Sequence, residues 1–185
     1  LAPEDDNRTR SAASALSGLA SWGRGDLEAA HRGYTAAVEG LRRAGHISDV
    51  LGCSITLADL RITQGRLSEA VRTYEDALRL AETVDGPPPR GSADMHVGIS
   101  TVQHARNDLE AAHQALARSQ ELGDHLGLPQ NPYRWRVSMA RLLDAEGDLD
   151  GALELLDEAD RTYVGDFSPR VRPVPALKAR VWIRQ

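Results

Sequence analysis

His96 and His104 lie on one predicted helix with Asp94 nearby, side chain types that can ligate a metal. A helical metal site places its ligands at i and i+4, on one face. His96 and His104 are eight residues apart, which sets them ~80° apart around a helix axis, so the pair does not form that site. They read as ordinary surface or packed histidines. Cys53 lies on a predicted helix without a nearby His, and reads as a small buried apolar side chain. Asp5-Asp6 and Glu75-Asp76 read as solvated carboxylates. The sequence has no GxxxxGK[ST] phosphate loop, no GxSxG nucleophile turn and no HExxH pair. The expectation is a protein that is not an enzyme, with no catalytic residue, no metal and no cofactor.

Composition narrows the class further. Hydrophobic residues make up 41 % of the 185 positions and aromatics only 4 %, so a core must rest on Ala, Leu and Val, as in closely packed helices. The net charge of −5 is the wrong sign for a segment that neutralises phosphates, so no direct nucleic-acid binding is expected. The single cysteine excludes an internal disulfide and fits a cytoplasmic setting. No apolar run approaches the ~20 residues of a membrane span. Basic charge is almost all Arg, with Lys178 the only lysine, which reads as coding bias.

The elements that must carry these residues come from a repeat. Gly25-Asp26-Leu27-Glu28-Ala29-Ala30 returns as Gly65-Arg66-Leu67-Ser68-Glu69-Ala70, as Asn107-Asp108-Leu109-Glu110-Ala111-Ala112 and as Gly147-Asp148-Leu149-Asp150-Gly151-Ala152. The spacings are 40, 42 and 40 residues, a period that marks stacked repeats. Gly and Asn tolerate the left-handed backbone that ends a helix. Asp26, Asp108 and Asp148 can then cap the next helix, and Arg66 breaks that pattern. Each copy therefore reads as helix, tight turn, helix. Around the turn the residue types agree too. Seven before it stand Gly18, Ala58, Ser100 and Ala140; five after it, Ala30, Ala70, Ala112 and Ala152. Nine after it stand Tyr34, Tyr74, Leu116 and Leu156, and twelve after it Ala37, Ala77, Ser119 and Ala159. Small residues let two helix axes come close while the larger ones fill the remaining space.

Along the chain, Leu1–Asp6 is a polar approach, and Asp6 or Asn7 can cap a helix running to about Gly23. Helices follow over about Leu27–Ala44, Ser48–Gln64 and Leu67–Val84. Three prolines in Asp85–Gly91 forbid helix there; the segment reads as an extended connector, with a proline-rich docking site as the weaker alternative. Ser92 can cap a helix to about Arg106, and the next spans Leu109–Leu122. After a connector at Gly123–Gln130, Asn131 as cap and Pro132 in the first turn start a helix to about Glu146. The eighth spans about Leu149–Tyr163. Val164–Val174 is a third connector, carrying Phe167, Pro169 and Pro173, and Pro175 opens a ninth helix.

This pattern of small residue, turn Gly, Leu, Ala, aromatic or Leu, and Ala resembles the tetratricopeptide repeat, lengthened from its usual period and lacking the Pro at the end of the second helix. The variant with Gly-Asp-Leu-Glu-Ala-Ala turns is similar to the repeat region of the large MalT-like, ATP-dependent regulators of the LuxR family. The resemblance covers essentially the whole chain. It implies an all-α, right-handed α-solenoid of helix hairpins. One domain spans residues 1–185, with repeats at about 7–45, 46–85, 92–123 and 131–164 and a half repeat at 175–185.

It also implies that the first helix of each hairpin lines an inner, concave face. The stripe 13, 10, 6 and 3 residues before each turn reads Ala12, Ala15, Leu19, Trp22; Gly52, Ile55, Asp59, Ile62; Asp94, Val97, Thr101, His104; and Arg134, Val137, Arg141, Asp144. Of these, Leu19, Trp22, Asp59, Ile62, Thr101, His104, Arg134, Arg141 and Asp144 are the candidate ligand or partner residues. In that reading Trp22 is an aromatic platform and the charged members supply polar contacts. The competing reading makes them solvated or inter-repeat packing residues. The Asn and Lys set of the chaperone-tail carboxylate clamp is absent, against a co-chaperone role.

Two functions follow. One is the sensor segment of a MalT-like transcriptional regulator, receiving a small-molecule inducer or a regulatory protein between an ATPase module and a helix-turn-helix. The other is a stand-alone scaffold for a peptide or protein. The period also places a next turn near 186–187, so the ninth helix reads as half of a hairpin in a longer solenoid. Its Val174, Leu177, Val181, Trp182 and Ile183 are not a polar cap, so this end is expected either to be frayed or to be covered by another copy of the chain, in self-association through the half repeat.

Overall fold

The computed structural model describes residues 7–163 and 173–185. Among them stand nine α-helices and no strand: α1 (Asn7–Gly23), α2 (Leu27–Arg43), α3 (Ile47–Thr63), α4 (Leu67–Ala81), α5 (Ser92–Ala105), α6 (Leu109–Leu122), α7 (Asn131–Glu146), α8 (Leu149–Thr162) and α9 (Val174–Arg184). The all-α expectation holds. The leading six residues and most of the third expected connector lie outside the described residues.

The four turns share one geometry. Gly25, Gly65, Asn107 and Gly147 have φ of 81°, 74°, 62° and 92°. In each, the next residue donates its N–H to the carbonyl five back: Asp26 to Ser21 (3.0 Å), Arg66 to Arg61 (2.8 Å), Asp108 to Gln103 (3.0 Å) and Asp148 to Leu143 (2.9 Å). This left-handed closure satisfies carbonyls that the helix end would otherwise leave open. The caps follow the residue types. Asp26, Asp108 and Asp148 accept from the N–H groups of Ala29, Ala111 and Gly151 at 2.9, 3.1 and 3.0 Å. Arg66 makes no cap and instead donates to Glu69 at 2.7 Å.

Packing across each hairpin obeys the small-residue rule. Ala30, Ala70, Ala112 and Ala152 are wholly buried, as are Ala58 and Ser100. A side chain added at Gly18 would press on the Tyr34 ring and the Ala30 carbonyl. Gly33, which the repeat does not mark, meets the backbone of Gly18 and the Ser14 carbonyl, so α1 and α2 touch almost main chain to main chain.

Two compact units contain these hairpins. The first runs through Gly91 and holds α1–α4, with a core of Trp22, Ala30, Tyr34, Leu57 and Leu60. The second starts at Ser92 and holds α5–α9. One of its clusters joins Val97, Ala112, Leu116 and Leu142; another joins Val137, Ala140, Ala152, Leu156 and Ala159 with Val174 and Val181 of α9.

Some boundaries differ from expectation. α4 stops at Ala81 instead of Val84, because Thr83 and Val84 switch to the tighter bonds onto the Leu80 and Ala81 carbonyls. Ser92 is the first residue of α5 and not an external cap. Asn131 is likewise inside α7: the Gln130 carbonyl already accepts from Arg134 at 3.0 Å, and Asn131 is buried against Gly127. The connector before it contains a 3-10 turn at Asp124–Leu126.

Candidate functional site

Within the first unit two members of the stripe on α1 pack into the apolar core. Trp22 is 8 % exposed and sits in the core with Leu57 and Leu60 of α3, with Leu19 half-buried against the same cluster. Trp22 is therefore not an open aromatic platform: it is buried in the core shared by its own hairpin and the next. Asp59 and Ile62 are half-buried on α3. Cys53 packs on the Trp22 cluster, and burial, with the Asp49 charge adding, pushes its thiol up to about 11, so it is inert as a nucleophile at neutral pH.

Within the second unit the same register carries charge. Asp94 on α5 is 2 % exposed; it accepts from the Leu128 N–H at 2.8 Å and stands 3.5 Å from the Arg134 guanidinium of α7. Burial pushes its carboxyl up, and those two partners offset part of the shift. The hydroxyls of Thr101 and Ser138 meet at 3.2 Å in a buried contact between α5 and α7. Asp144 on α7 is 3 % exposed and holds two arginines of α9. Arg180 reaches one carboxylate oxygen at 3.0 Å. Arg184 takes the other, and donates to the Asp144 backbone carbonyl at 2.6 Å.

His104 and Arg141 stand beside this pair. The His104 ring donates to the Arg141 backbone carbonyl, while its Nδ1 is buried with no hydrogen-bond partner. Burial, then the Arg141 and Arg180 charges, hold its pKa below the ordinary histidine range. Of the predicted residues, the structure thus brings His104, Arg141 and Asp144 into one cluster and binds Arg134 to Asp94. Arg180 and Arg184 belong to that cluster and were not among the predicted residues. The signal was available, since Arg184 follows Asp144 by 40 residues as Arg134 follows Asp94 by 40. Asp94 and Arg134 hold equivalent positions, thirteen residues before their turns, on successive first helices. Among the described residues no group of three or more His, Cys, Asp or Glu is placed to hold a metal ion. No helix among them is long and apolar enough to cross a membrane.

Helix hairpins with left-handed Gly or Asn turns and buried Ala at fixed register define a tetratricopeptide-type α-solenoid. Two solved structures share that fold. BtubC (BKLC) from P. vanneervenii superposes with a TM-score of 0.60 at 19 % identity, over 91 % of this chain and 70 % of that one. TTC0263, a thermophilic TPR protein of Thermus thermophilus, does so with a TM-score of 0.50 at 16 % identity, over 94 % and 99 %. No protein of curated function matches in sequence. Residues 1–185 match the MalT-like TPR region, and the chain belongs to that family.

Proposed function

We propose that this chain is the non-catalytic sensor and protein-interaction segment of a LuxR-family, MalT-like transcriptional regulator, working in the cytoplasm. The family match over residues 1–185 carries the reading. The segment takes a small-molecule inducer or a regulatory protein on the inner stripe of its first helices and contributes no direct DNA contact. A flanking P-loop ATPase and a helix-turn-helix in the same gene are what the regulator reading requires. A gene without them favours the stand-alone scaffold.

Self-association is proposed through α9. Val174 and Val181 pack on the α7–α8 cluster, while Trp182 and Ile183 remain 58 % and 86 % exposed. Counting a turn at 186, Ala176, Ala179 and Trp182 hold the register at which Val137, Ala140 and Leu143 of α7 pack against α8. A second copy offering an amphipathic helix with Ala at that register fits the open face.

In-cell maleimide footprinting tests the inner-face reading. On a Cys53→Ala background, Ile62→Cys and His104→Cys report the stripe, while Arg72→Cys and Arg79→Cys report the exposed side of α4. Under inducing conditions the stripe positions lose reactivity and the α4 positions keep it. Equal labelling of all four contradicts the reading.

A further inference from the structure

The two units join their hairpins differently. In the first, only residues 44–46 separate α2 from α3, and α3 rests on α2. In the second, residues 123–130 separate α6 from α7, and α7 rests on α5 more than on α6. The resulting seam is part apolar and part polar. Leu142 of α7 is wholly buried with Val97 of α5 and with Ala112 and Leu116 of α6. Beside it, the Thr101 and Ser138 hydroxyls meet at 3.2 Å. Nearer the start of both helices, Asp94 accepts from the Leu128 N–H at 2.8 Å and stands 3.5 Å from the Arg134 guanidinium.

Asp94 is thus the point where α5, the connector and α7 are tied together. Its side chain is 0 % exposed. Burial pushes its carboxyl up in spite of Leu128, Arg134 and Asn131, so these partners fall short of the hydration that the charge has lost. A charge held in that way favours any state that lets water back to it. The hairpins on either side do not depend on it. α7 and α8 close through Ala140, Ala152, Leu156 and Ala159, and α5 and α6 through Val97, Ala112 and Leu116. The first unit has no counterpart, since the same register holds Ala12 and Gly52.

We propose that Asp94 is the latch of a conformational joint in the second unit. When its bonds to Leu128 and Arg134 break, the connector lifts from α5, and the α7–α8 hairpin shifts against α5–α6 with both hairpins still closed. The joint is a property of the fold and holds whether or not the inner stripe takes a ligand.

The test is amide hydrogen exchange, read by NMR on the 185-residue chain, with circular dichroism to check helix content. Asp94→Ala should speed exchange at Leu128 and Arg134 by about tenfold or more, the loss of a buried bond to a charged group. Amides in the middle of α3, α6 and α8 should keep their rates. Asp94→Asn keeps an acceptor and drops the charge, so Leu128 should exchange more slowly than in the unaltered chain. On a Cys53→Ala background, an oxidised Thr101→Cys/Ser138→Cys pair clamps the seam and should slow Arg134 relative to the reduced form. Should Asp94→Ala fail to fold, Asp94→Asn and the clamped chain decide. Equal acceleration throughout α5–α9 overturns the proposal, because Asp94 then only supports the unit as a whole. So does an unchanged Leu128, or Asp94→Asn exchanging as fast as Asp94→Ala, which would mean that the charge secures the seam. A clamp without effect at Arg134 also overturns it, since the connector would then open without the hairpin.

Discussion

Trp22 and Asp144 occupy the same place in the repeat, three residues before the turn, in α1 and α7. Both are buried, at 8 % and 3 % exposure. Trp22 is held by Leu57 and Leu60, and Asp144 by Arg180 and Arg184. The turn geometry and the buried Ala positions are alike in the two units, so the repeat dictates where a side chain goes without dictating what force receives it. Apolar closure is indifferent to salt and leaves no group with further bonding capacity. Ionic closure responds to salt and keeps its guanidinium groups half-exposed.

The largest effect that can break this comparison is Trp22→Ala. Removing a buried aromatic leaves a cavity, and the first unit should lose about 3–5 kcal/mol, read as faster amide exchange confined to α1–α4. The loss should be the same at low and high salt. Asp144→Ala should cost less, about 2 kcal/mol, because its arginine partners can turn back into water. Its cost should shrink as salt rises and appear in the exchange of α7 and α9. A salt-independent loss would mean that Asp144 acts by packing.

Where the units agree, substitutions should act alike. Ala70→Leu in the first and Ala112→Leu in the second each place extra methylenes between touching helices and should cost about 1–3 kcal/mol in urea unfolding. A neutral result at either would mean that its hairpin is not closely packed.

Smaller effects come from the caps. Asp148→Ala should lose about 1 kcal/mol. Arg66→Asp should gain a few tenths of a kcal/mol, since it restores a cap and gives up exposed contacts with Glu69 and Gln64. Thermal melts read both.

The smallest is a pH slope. His104 has its pKa depressed, so the folded state favours the neutral ring. The associated stability is present above the ordinary value of 6.5 and is lost as pH falls from there through the lower folded value. His104→Gln should flatten the decline in melting temperature over that window without abolishing it, because His96 and His31 are depressed as well.

The hairpins were legible because their causes are local. Left-handed Gly and Asn, a carboxylate one residue later, and Ala where two axes meet are written within a few positions of each other, and they recur four times. Even the one irregular cap, Arg66, was visible as a missing carboxylate. The candidate site was legible only as a stripe. Sequence period named the positions of His104, Arg141, Asp144 and Trp22 but left open whether they face a ligand or pack between repeats.

Tertiary structure alone decided which members of the stripe are spent, and on which partners. Asp94 meets Arg134, Thr101 meets Ser138 and Asp144 meets Arg184 across separations of 40, 37 and 40 residues. The partners lie on different helices, so the pairing depends on how far one first helix stands from the next and how it is rotated. Burial then converts a charge that would be solvated on a lone helix into one that must find a partner. No pattern within a single helix carries that information.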